Sequence, residues 1–198
     1  MDYFDISNQE QPTSGDILIS NPIMGDPNFE RSIIFLCEHS EQGSLGFVIN
    51  KPAKVSLNEV VEGFDNAPLP IYVGGPVEQN TLHFLYQTDG NGPLMEPLEN
   101  STQIGNEIYM GGSFEKLQEL LSLYPLAEDQ IKFFIGYSGW SGGQLQKEIE
   151  ENSWVVVKSP QVSNIFKNTN RVHWKDMMSQ LGGRYKMMSN YPVDPRLN

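Results

Sequence analysis

Cys37 and His39 are the first residues of this chain whose types and spacing could do chemistry. They are the single cysteine and one of three histidines, and they lie two residues apart. Both belong to an apolar run, Ser32 to His39, that is typical of a buried strand. Because strand side chains alternate, we expect both to point to one face, where an imidazole could activate the thiol as a nucleophile. The alternative is a buried, inert thiol, the common state of a free cysteine.

A second candidate is a glycine-rich stretch made of Gly139, Trp140, Ser141, Gly142 and Gly143. This stretch matches the G-x-S-x-G motif of serine hydrolases and stands between a predicted strand and a predicted helix. A hydrolase would need His173 as its base, with Glu148, Glu150 or Glu151 as the acid. Glycine amides before a helix could instead hold an anion, or the glycines could serve only a tight turn and close packing.

The remaining signals disfavour bound metals and cofactors. The potential metal ligands Cys37, His39, His83 and His173 show no spacing typical of a metal site and would have to converge from distant segments. The glycine stretch is neither a Walker loop nor a dinucleotide fingerprint. We therefore expect no metal and no cofactor, and we favour a protein that is not an enzyme.

A predicted hairpin positions the first candidate. It comprises a turn over 26–28, a strand over 32–39, a turn over 41–43 and a second strand over 45–49. Further strands are predicted over 16–20, 71–73, 81–87, 108–110, 131–137 and 154–157. Helices are predicted from the Ser56 to Glu59 capping box to Phe64, from Phe114 to Tyr124, over 144–151 and around Trp174 to Leu181.

The order of these elements predicts the fold class and the domain limits. Strands and helices mix without a βαβ rhythm, which favours an α+β fold with a mixed, mostly antiparallel sheet. We expect a single compact domain over 15–182, a polar leader over 1–14 and an irregular tail over 183–198. The longest predicted loop spans 88–102.

Charge and composition limit the partners. The 198 residues carry a net charge of −12, although the balance turns basic from Lys158 onward. An acidic protein is poorly suited to bind DNA, and the basic C-terminal segment is the one patch that could. The N-terminus lacks the pattern of a signal peptide, and no apolar run reaches the roughly 20 residues of a membrane helix. With its lone cysteine, the protein is expected to be cytoplasmic and free of membrane contact.

The chain carries five motifs in order: Asp26-Pro27-Asn28-Phe29 with Arg31-Ser32; Cys37-Glu38-His39; Gly46 with Val48-Ile49-Asn50-Lys51-Pro52; Gly74-Gly75-Pro76-Val77; and Gly136-Tyr137-Ser138-Gly139-Trp140 with Gly143-Gln144-Leu145. Together they resemble the AlgH/YqgE family of bacterial proteins over about residues 15–158. The resemblance implies a compact α+β domain whose mixed sheet curls toward a barrel and is flanked by helices. It also implies a regulator of transcription with no established DNA-binding motif and no settled reaction. Members commonly carry another residue where Ser141 stands.

Our leading hypothesis is a non-enzymatic domain that binds a small anionic ligand or a protein partner and affects transcription indirectly. Its candidate pocket joins Asn28, Arg31, Cys37 and His39 to the glycine stretch from Gly139 to Gly143. One rival is a direct DNA-binding regulator that acts through the basic C-terminal segment. The other is a thiol or serine enzyme that uses Cys37 or Ser141. The sequence leaves the oligomeric state open.

Overall fold

A ten-stranded sheet organises the described part of the chain. The computed structural model describes residues 11–88, 93–124, 129–158, 160–166 and 174–192. The strands are β1 (Ile17–Ser20), β2 (Ile33–Ser40), β3 (Gly43–Val48), β4 (Pro52–Ser56), β5 (Pro70–Val73), β6 (Val77–Gln87), β7 (Thr102–Gln103), β8 (Ile108–Met110), β9 (Ile131–Ser141) and β10 (Trp154–Val157). The helices are a 3₁₀ turn (Pro27–Phe29), α1 (Leu57–Val60), α2 (Phe114–Leu123), α3 (Gln144–Glu150), α4 (Val162–Phe166), α5 (Trp174–Gln180) and α6 (Gly183–Met188).

The sheet is mixed and mostly antiparallel, as the order of the elements predicts. The strands follow the order β10-β1-β2-β3-β9-β6-β8-β7, and β4 and β5 lie off this path. Among the described strands β5 and β9 pair in parallel, while the other pairs are antiparallel. The sheet curls into a half-barrel, so the predicted α+β fold is confirmed.

Strands β1 and β2 are buried on both faces, which explains their almost unbroken apolar sequence. One face, here called the α5 face, packs Ile17, Ile33 and Phe35 against Trp174 and other residues of the C-terminal helices. The opposite face, here called the α3 face, packs Leu18, Ile34, Leu36, Trp140 and Trp154 against Leu145 and Ile149 of α3. Odd and even positions of the same strands thus belong to separate hydrophobic clusters.

Strand β9 is longer than the sequence predicts. The stretch from Ser138 to Ser141, which follows the predicted strand 131–137 and was expected to be a loop, continues the strand, and a turn follows at Gly142 and Gly143. Glycine is needed here because neighbouring backbones cross closely. A Cβ on Gly75 would overlap the carbonyl group of Tyr137, and a Cβ on Gly136 would lie 2.6 Å from the Val77 carbonyl oxygen. These glycines therefore permit the crossing of the β5–β6 connection over β9.

Helices α1, α2 and α6 differ from expectation. The capping box at Ser56 and Glu59 is present, but α1 ends after one turn at Val60, which is half exposed and has no core to pack against. Helix α2 buries Leu117 and Leu121, whereas Phe114 and Tyr124, expected on its buried side, are exposed. Helix α6 lies within the predicted irregular tail 183–198, so that expectation is wrong for 183–188.

Some predicted segments lie partly outside the described residues. These are the leader, of which 11–14 are described, the loop 88–102, of which 88 and 93–102 are described, and the tail, of which 183–192 are described. In the described part of the chain, every helix is too short or too polar to cross a membrane.

Candidate functional site

A β-bulge separates Cys37 from His39. The register between β2 and β3 shifts between Leu36 and Glu38, and Cys37 packs in the cluster of the α5 face. His39 pairs with Ser44, which pairs in turn with Trp140 of the α3 face. A bulge adds one residue to the strand and so reverses the alternation beyond it. The expectation that Cys37 and His39 share a face is therefore wrong.

The Cys37 thiol lies in an inert setting. It is 2% exposed, and its Sγ lies 3.7 Å from the Phe35 carbonyl oxygen. Burial raises the pKa of this thiol well above its usual value, and the nearby Glu38 carboxylate raises it further. A thiol with a raised pKa stays protonated at neutral pH and is a poor nucleophile. His39 is engaged elsewhere, with its Nδ1 2.8 Å from Ser44 Oγ.

Ser141 does not stand on a nucleophile elbow. It is the last residue of β9 and pairs with Gly43 in an antiparallel ladder, whereas the elbow requires a sharp turn after a strand of a parallel sheet. Its backbone N–H donates to Gln144 Oε1 at 3.0 Å. The proposed triad base, His173, lies outside the described residues. The glycine turn that follows packs against the carbonyl group of Glu41 in the β2–β3 turn.

Trp140 helps to build the α3 face. Its indole Nε1 donates to Glu148 Oε2 at 2.9 Å, and the indole Nε1 of Trp154 donates to the same oxygen at 2.8 Å. The ring of Phe29 stacks on Trp140 with centroids 6.3 Å apart. The Asp-Pro-Asn-Phe motif therefore covers this cluster with its phenylalanine.

Arg31 lies on the other face, beside the C-terminal helices. Its guanidinium stands 5.0 Å from the centroid of the Trp174 ring and donates to the backbone carbonyl of Tyr191. Its backbone has a φ of 48°, an uncommon conformation for a residue with a side chain. The Asn50 side chain holds this conformation, since Nδ2 donates to the Arg31 carbonyl at 2.9 Å and Oδ1 accepts from Ile33 N at 2.9 Å.

Asn28 belongs to the same corner. Lys51 Nζ donates to the Asn28 carbonyl oxygen at 2.8 Å. Burial lowers the pKa of Lys51, and the carboxylates of Glu30 and Asp26 act in the opposite direction. Two motifs far apart in the sequence, Asp26 to Ser32 and Asn50 to Pro52, thus meet at one corner of the fold.

The proposed pocket residues fall into three places. Asn28 and Arg31 share the corner, Cys37 lies in the core, and His39 lies with Gly139, Trp140, Ser141, Gly142 and Gly143 at the far end of the hairpin. Ser141 pairs with Gly43, which pairs in turn with Ser40. Ser40 is nine residues after Arg31, which corresponds to roughly 30 Å along a strand. The structure therefore does not bring the Arg31 guanidinium and the glycine turn into one cleft.

A groove of about 590 Å³ lies near Arg31, at a place that sequence reasoning missed. One wall is the connection after β1, with Ile23 and Met24, and the floor includes Asn152 and Val155. Its second wall comes from the C-terminal region, with Arg184, Tyr185, Met188 and Tyr191. These segments are distant in sequence. The one sequence feature that could have indicated the groove is a set of large apolar residues in stretches that are typical of turns or of a terminal tail.

The groove combines apolar walls with a positive charge. Arg184 Nη2 donates to the hydroxyl of Tyr185 at 2.8 Å, and its guanidinium lies 4.8 Å from that ring's centroid. Within the described residues, no carboxylate lies within ion-pair distance of Arg184. Glu151 also lines the groove, and its Oε1 lies 3.7 Å from Lys147 Nζ. The arrangement suits a ligand with an apolar body and an anionic group.

The structure offers no candidate metal centre in the ranges it describes. No three or more histidine, cysteine, aspartate or glutamate side chains in those ranges gather in a way that could hold an ion. The groove itself contains neither a histidine nor the cysteine.

Comparisons with known proteins agree with the fold. The AlgH-like family model matches residues 17–186. A UPF0301 protein of Cytophaga hutchinsonii is 40% identical over 186 residues, covering 94% of this chain and 99% of the relative. A UPF0301 protein of Parabacteroides distasonis is 39% identical over 193 residues, covering 96% and 94%.

Two solved structures are also similar. A crystal structure of a protein from Corynebacterium diphtheriae has a TM-score of 0.75 at 25% identity, covering 93% of this chain and 95% of that one. The solution structure of the AlgH protein from Pseudomonas aeruginosa has a TM-score of 0.66 at 28% identity, covering 93% and 98%. The family model, the relatives and the shared fold together show that this chain belongs to the AlgH-like family.

Proposed function

We propose that this protein is a binding domain that holds a small ligand with an apolar body and one anionic group in the groove beside α6. The observation that supports this is the Arg184 guanidinium, which stands between apolar walls with no carboxylate partner among the described residues. Any effect on transcription would then be indirect, through the bound ligand.

The size and lining of the groove fit this role. Small-molecule sites are mostly clefts of about 300–1,000 Å³ with apolar walls and a few polar groups that fix orientation. The volume of about 590 Å³ lies within that range. Ile23, Met24 and Met188 supply apolar surface, and Arg184 supplies a planar donor that can bind a carboxylate or phosphate through two hydrogen bonds.

A protein partner is the second candidate. Ile23 is 76% exposed, and Met187, on the adjacent surface of α6, is 67% exposed. Methionine, tyrosine and arginine are enriched at protein interfaces, and this surface carries all three. A partner that inserts an acidic and apolar segment would use the same groove.

The other functions considered have weaker support. Lys158, the first residue of the basic segment, is bound to Asp16 at 2.7 Å, and Lys167, Arg171 and Arg196 lie outside the described residues. An enzyme based on Cys37 or Ser141 lacks support from the geometry, because the thiol is buried and the serine ends a strand.

Matched pairs of probes can test for an anion site. Octanoate with 1-octanol, and indole-3-acetate with its alcohol, differ in charge but little in apolar body. In amide chemical-shift titrations we expect the acids to perturb residues 21–25, 151–155 and 184–191 and to bind about fivefold more tightly than the alcohols, or about 1 kcal/mol.

Two variants and a control locate the site. Arg184→Gln should make the acid and the alcohol bind equally, and Ile23→Glu should weaken both. Lys116→Gln removes a charge from α2, outside the groove, and should change neither. If no probe perturbs these residues, or if the preference for the acid survives Arg184→Gln, the proposal is wrong.

A further inference from the structure

Helix α6, which forms one wall of the groove, is held differently from the helix before it. Helix α5 is anchored by Trp174, which is 3% exposed and donates its indole N–H to the Ser20 carbonyl at 2.8 Å. Met178 of α5 is fully buried. Helix α6, by contrast, contains no buried residue. Its Tyr185 and Met188 are only partly buried where they pack against the cluster of the α5 face. Most helix stability in proteins comes from a packed apolar face, so α6 is held less firmly than α5.

Two consecutive glycines join these helices. Gly182 has φ 71° and ψ −168°, a region that in practice only glycine occupies, and Gly183 has φ 47°. A Cβ placed on either glycine would meet no atom within 4 Å. Close packing therefore does not require glycine here, whereas the backbone conformation does. Such a pair, placed between an anchored helix and a loosely held one, suits a hinge.

One hydrogen bond from another element reaches the far end of α6, where Met188 packs partly buried on the core and Ser189 is buried. In the described ranges, the hydrogen bond from Arg31 to the Tyr191 carbonyl is the one that joins residues 183–192 to an element other than α5. Arg31 itself stacks on the anchored Trp174, and its backbone is held by Asn50. The Arg31 side chain therefore belongs to the firmly packed part of the molecule, whereas the Tyr191 carbonyl that it binds belongs to the less firmly held C-terminal segment.

We propose that α6 is a lid on the groove, with its hinge at Gly182 and Gly183 and its latch at the contact between Arg31 and Tyr191. Helix α6 carries Arg184, Tyr185 and Met188, so its opening removes a wall, and its closure brings the guanidinium onto the ligand. The inference rests on the proposed function, since a lid matters only if the groove takes a ligand. It assigns Arg31 a role in access to the groove, outside the set of residues that line it.

Native-state hydrogen exchange on the full chain, without any ligand, tests the lid. The reporters are the amides of Lys186, Ser189, Asn190 and Tyr191, each of which donates a hydrogen bond to a carbonyl within residues 182–188. A helix of six residues is not stable by itself, so these hydrogen bonds break once α6 leaves the core, and exchange of the four amides reports its opening. The indole N–H of Trp174 reports on the anchored part. We expect the four amides to exchange through one shared opening, at least tenfold faster than the amides of β2 and the Trp174 indole.

Substitution of the latch should act on the lid alone. Arg31→Met keeps an apolar stem over Trp174 and removes the donor, and should speed exchange of the four amides about tenfold while β2 keeps its rates. Lys175→Met, an exposed change on α5, is the control and should leave all rates as they are. If Arg31→Met perturbs folding, Gly183→Ala strains the hinge instead and should speed the same four amides severalfold.

Two results would overturn the lid. One is exchange of the four amides at the rate of β2, which would mean that α6 opens only when the whole protein unfolds. The other is equal acceleration throughout the molecule in both the Arg31 and the Gly183 variants. Because no probe ligand is present, failure here leaves the titrations with octanoate and 1-octanol unaffected, and the two proposals can fail separately.

Discussion

Glu148 supports the α3 face through one oxygen that two tryptophans share. Oε2 accepts from Trp140 Nε1 at 2.9 Å and from Trp154 Nε1 at 2.8 Å, and Oε1 accepts from Gln144 Nε2 at 2.9 Å. The two rings meet edge to face with centroids 5.9 Å apart. Glu148→Ala removes the acceptor and leaves two indole N–H groups without it.

The expected cost follows from the burial of these indoles. Trp154 is fully buried and Trp140 is 5% exposed. A buried donor left without its partner costs about 1–3 kcal/mol. Since Glu148 is itself half-buried, water can reach part of the vacated space, and we expect Glu148→Ala to lower the free energy of unfolding by about 2–4 kcal/mol in total. Glu148→Gln keeps one oxygen for the indoles and should cost about 1 kcal/mol.

Urea unfolding followed by far-UV circular dichroism measures this loss, and near-UV circular dichroism reports on the tryptophan pair directly. Glu150→Ala is the matched control, because Glu150 lies on the same helix and accepts from Gln146 at 2.9 Å on the exposed surface. If Glu148→Ala costs no more than Glu150→Ala, or leaves the near-UV spectrum intact, the shared carboxylate does not hold this face together.

Two further predictions concern the backbone crossing and the half-buried histidine. Gly75→Ala places a Cβ on the Tyr137 carbonyl group at a φ of 157°, so we expect a loss of about 3 kcal/mol or more in urea unfolding, whereas Gly25→Ala, with open space around it, should be close to neutral. Burial lowers the pKa of His83 below its usual 6.5, with Glu78 opposing. The unfolded chain then binds a proton at a higher pH than the folded protein, so stability should fall as pH drops below about 6.5. His83→Gln should remove this slope and His39→Gln should not; an unchanged slope in the His83 variant would contradict the reasoning.

The strands of the sheet could be predicted because each depends mainly on the pattern of apolar residues within its own segment. The Ile and Phe of β2 form a continuous apolar run, which indicates burial on both faces, and β2 does lie between two hydrophobic clusters. Helix α2 followed from its regularly spaced leucines, two of which, Leu117 and Leu121, are buried. In each case the residues within one segment determine its secondary structure, and the packing of the surrounding chain is consistent with it.

The candidate site could not be predicted because its geometry depends on distant partners. The bulge at Cys37 shifts the alternation of β2 by one residue, and no residue near Cys37 signals it. The glycines at 74 and 75 are typical of a turn and Gly136 lies in a predicted strand, but together they allow two backbones to cross. The groove requires the connection after β1, the start of β10 and α6 to meet, which only the full topology determines.

Arg31 belongs to a motif that the sequence reveals, and it contacts the edge of a groove that the sequence did not predict. Its motif can be recognised in the sequence, and the structure places its backbone in a strained conformation that Asn50 holds from the neighbouring strand end. Strain of this kind persists only where surrounding contacts enforce it, and it often marks a functional position. Here the enforced conformation carries the guanidinium to the Tyr191 carbonyl at the edge of the groove. The proposed control of α6 accounts for this conformation, because the guanidinium lies over the core residue Trp174 and also reaches the Tyr191 carbonyl beyond it.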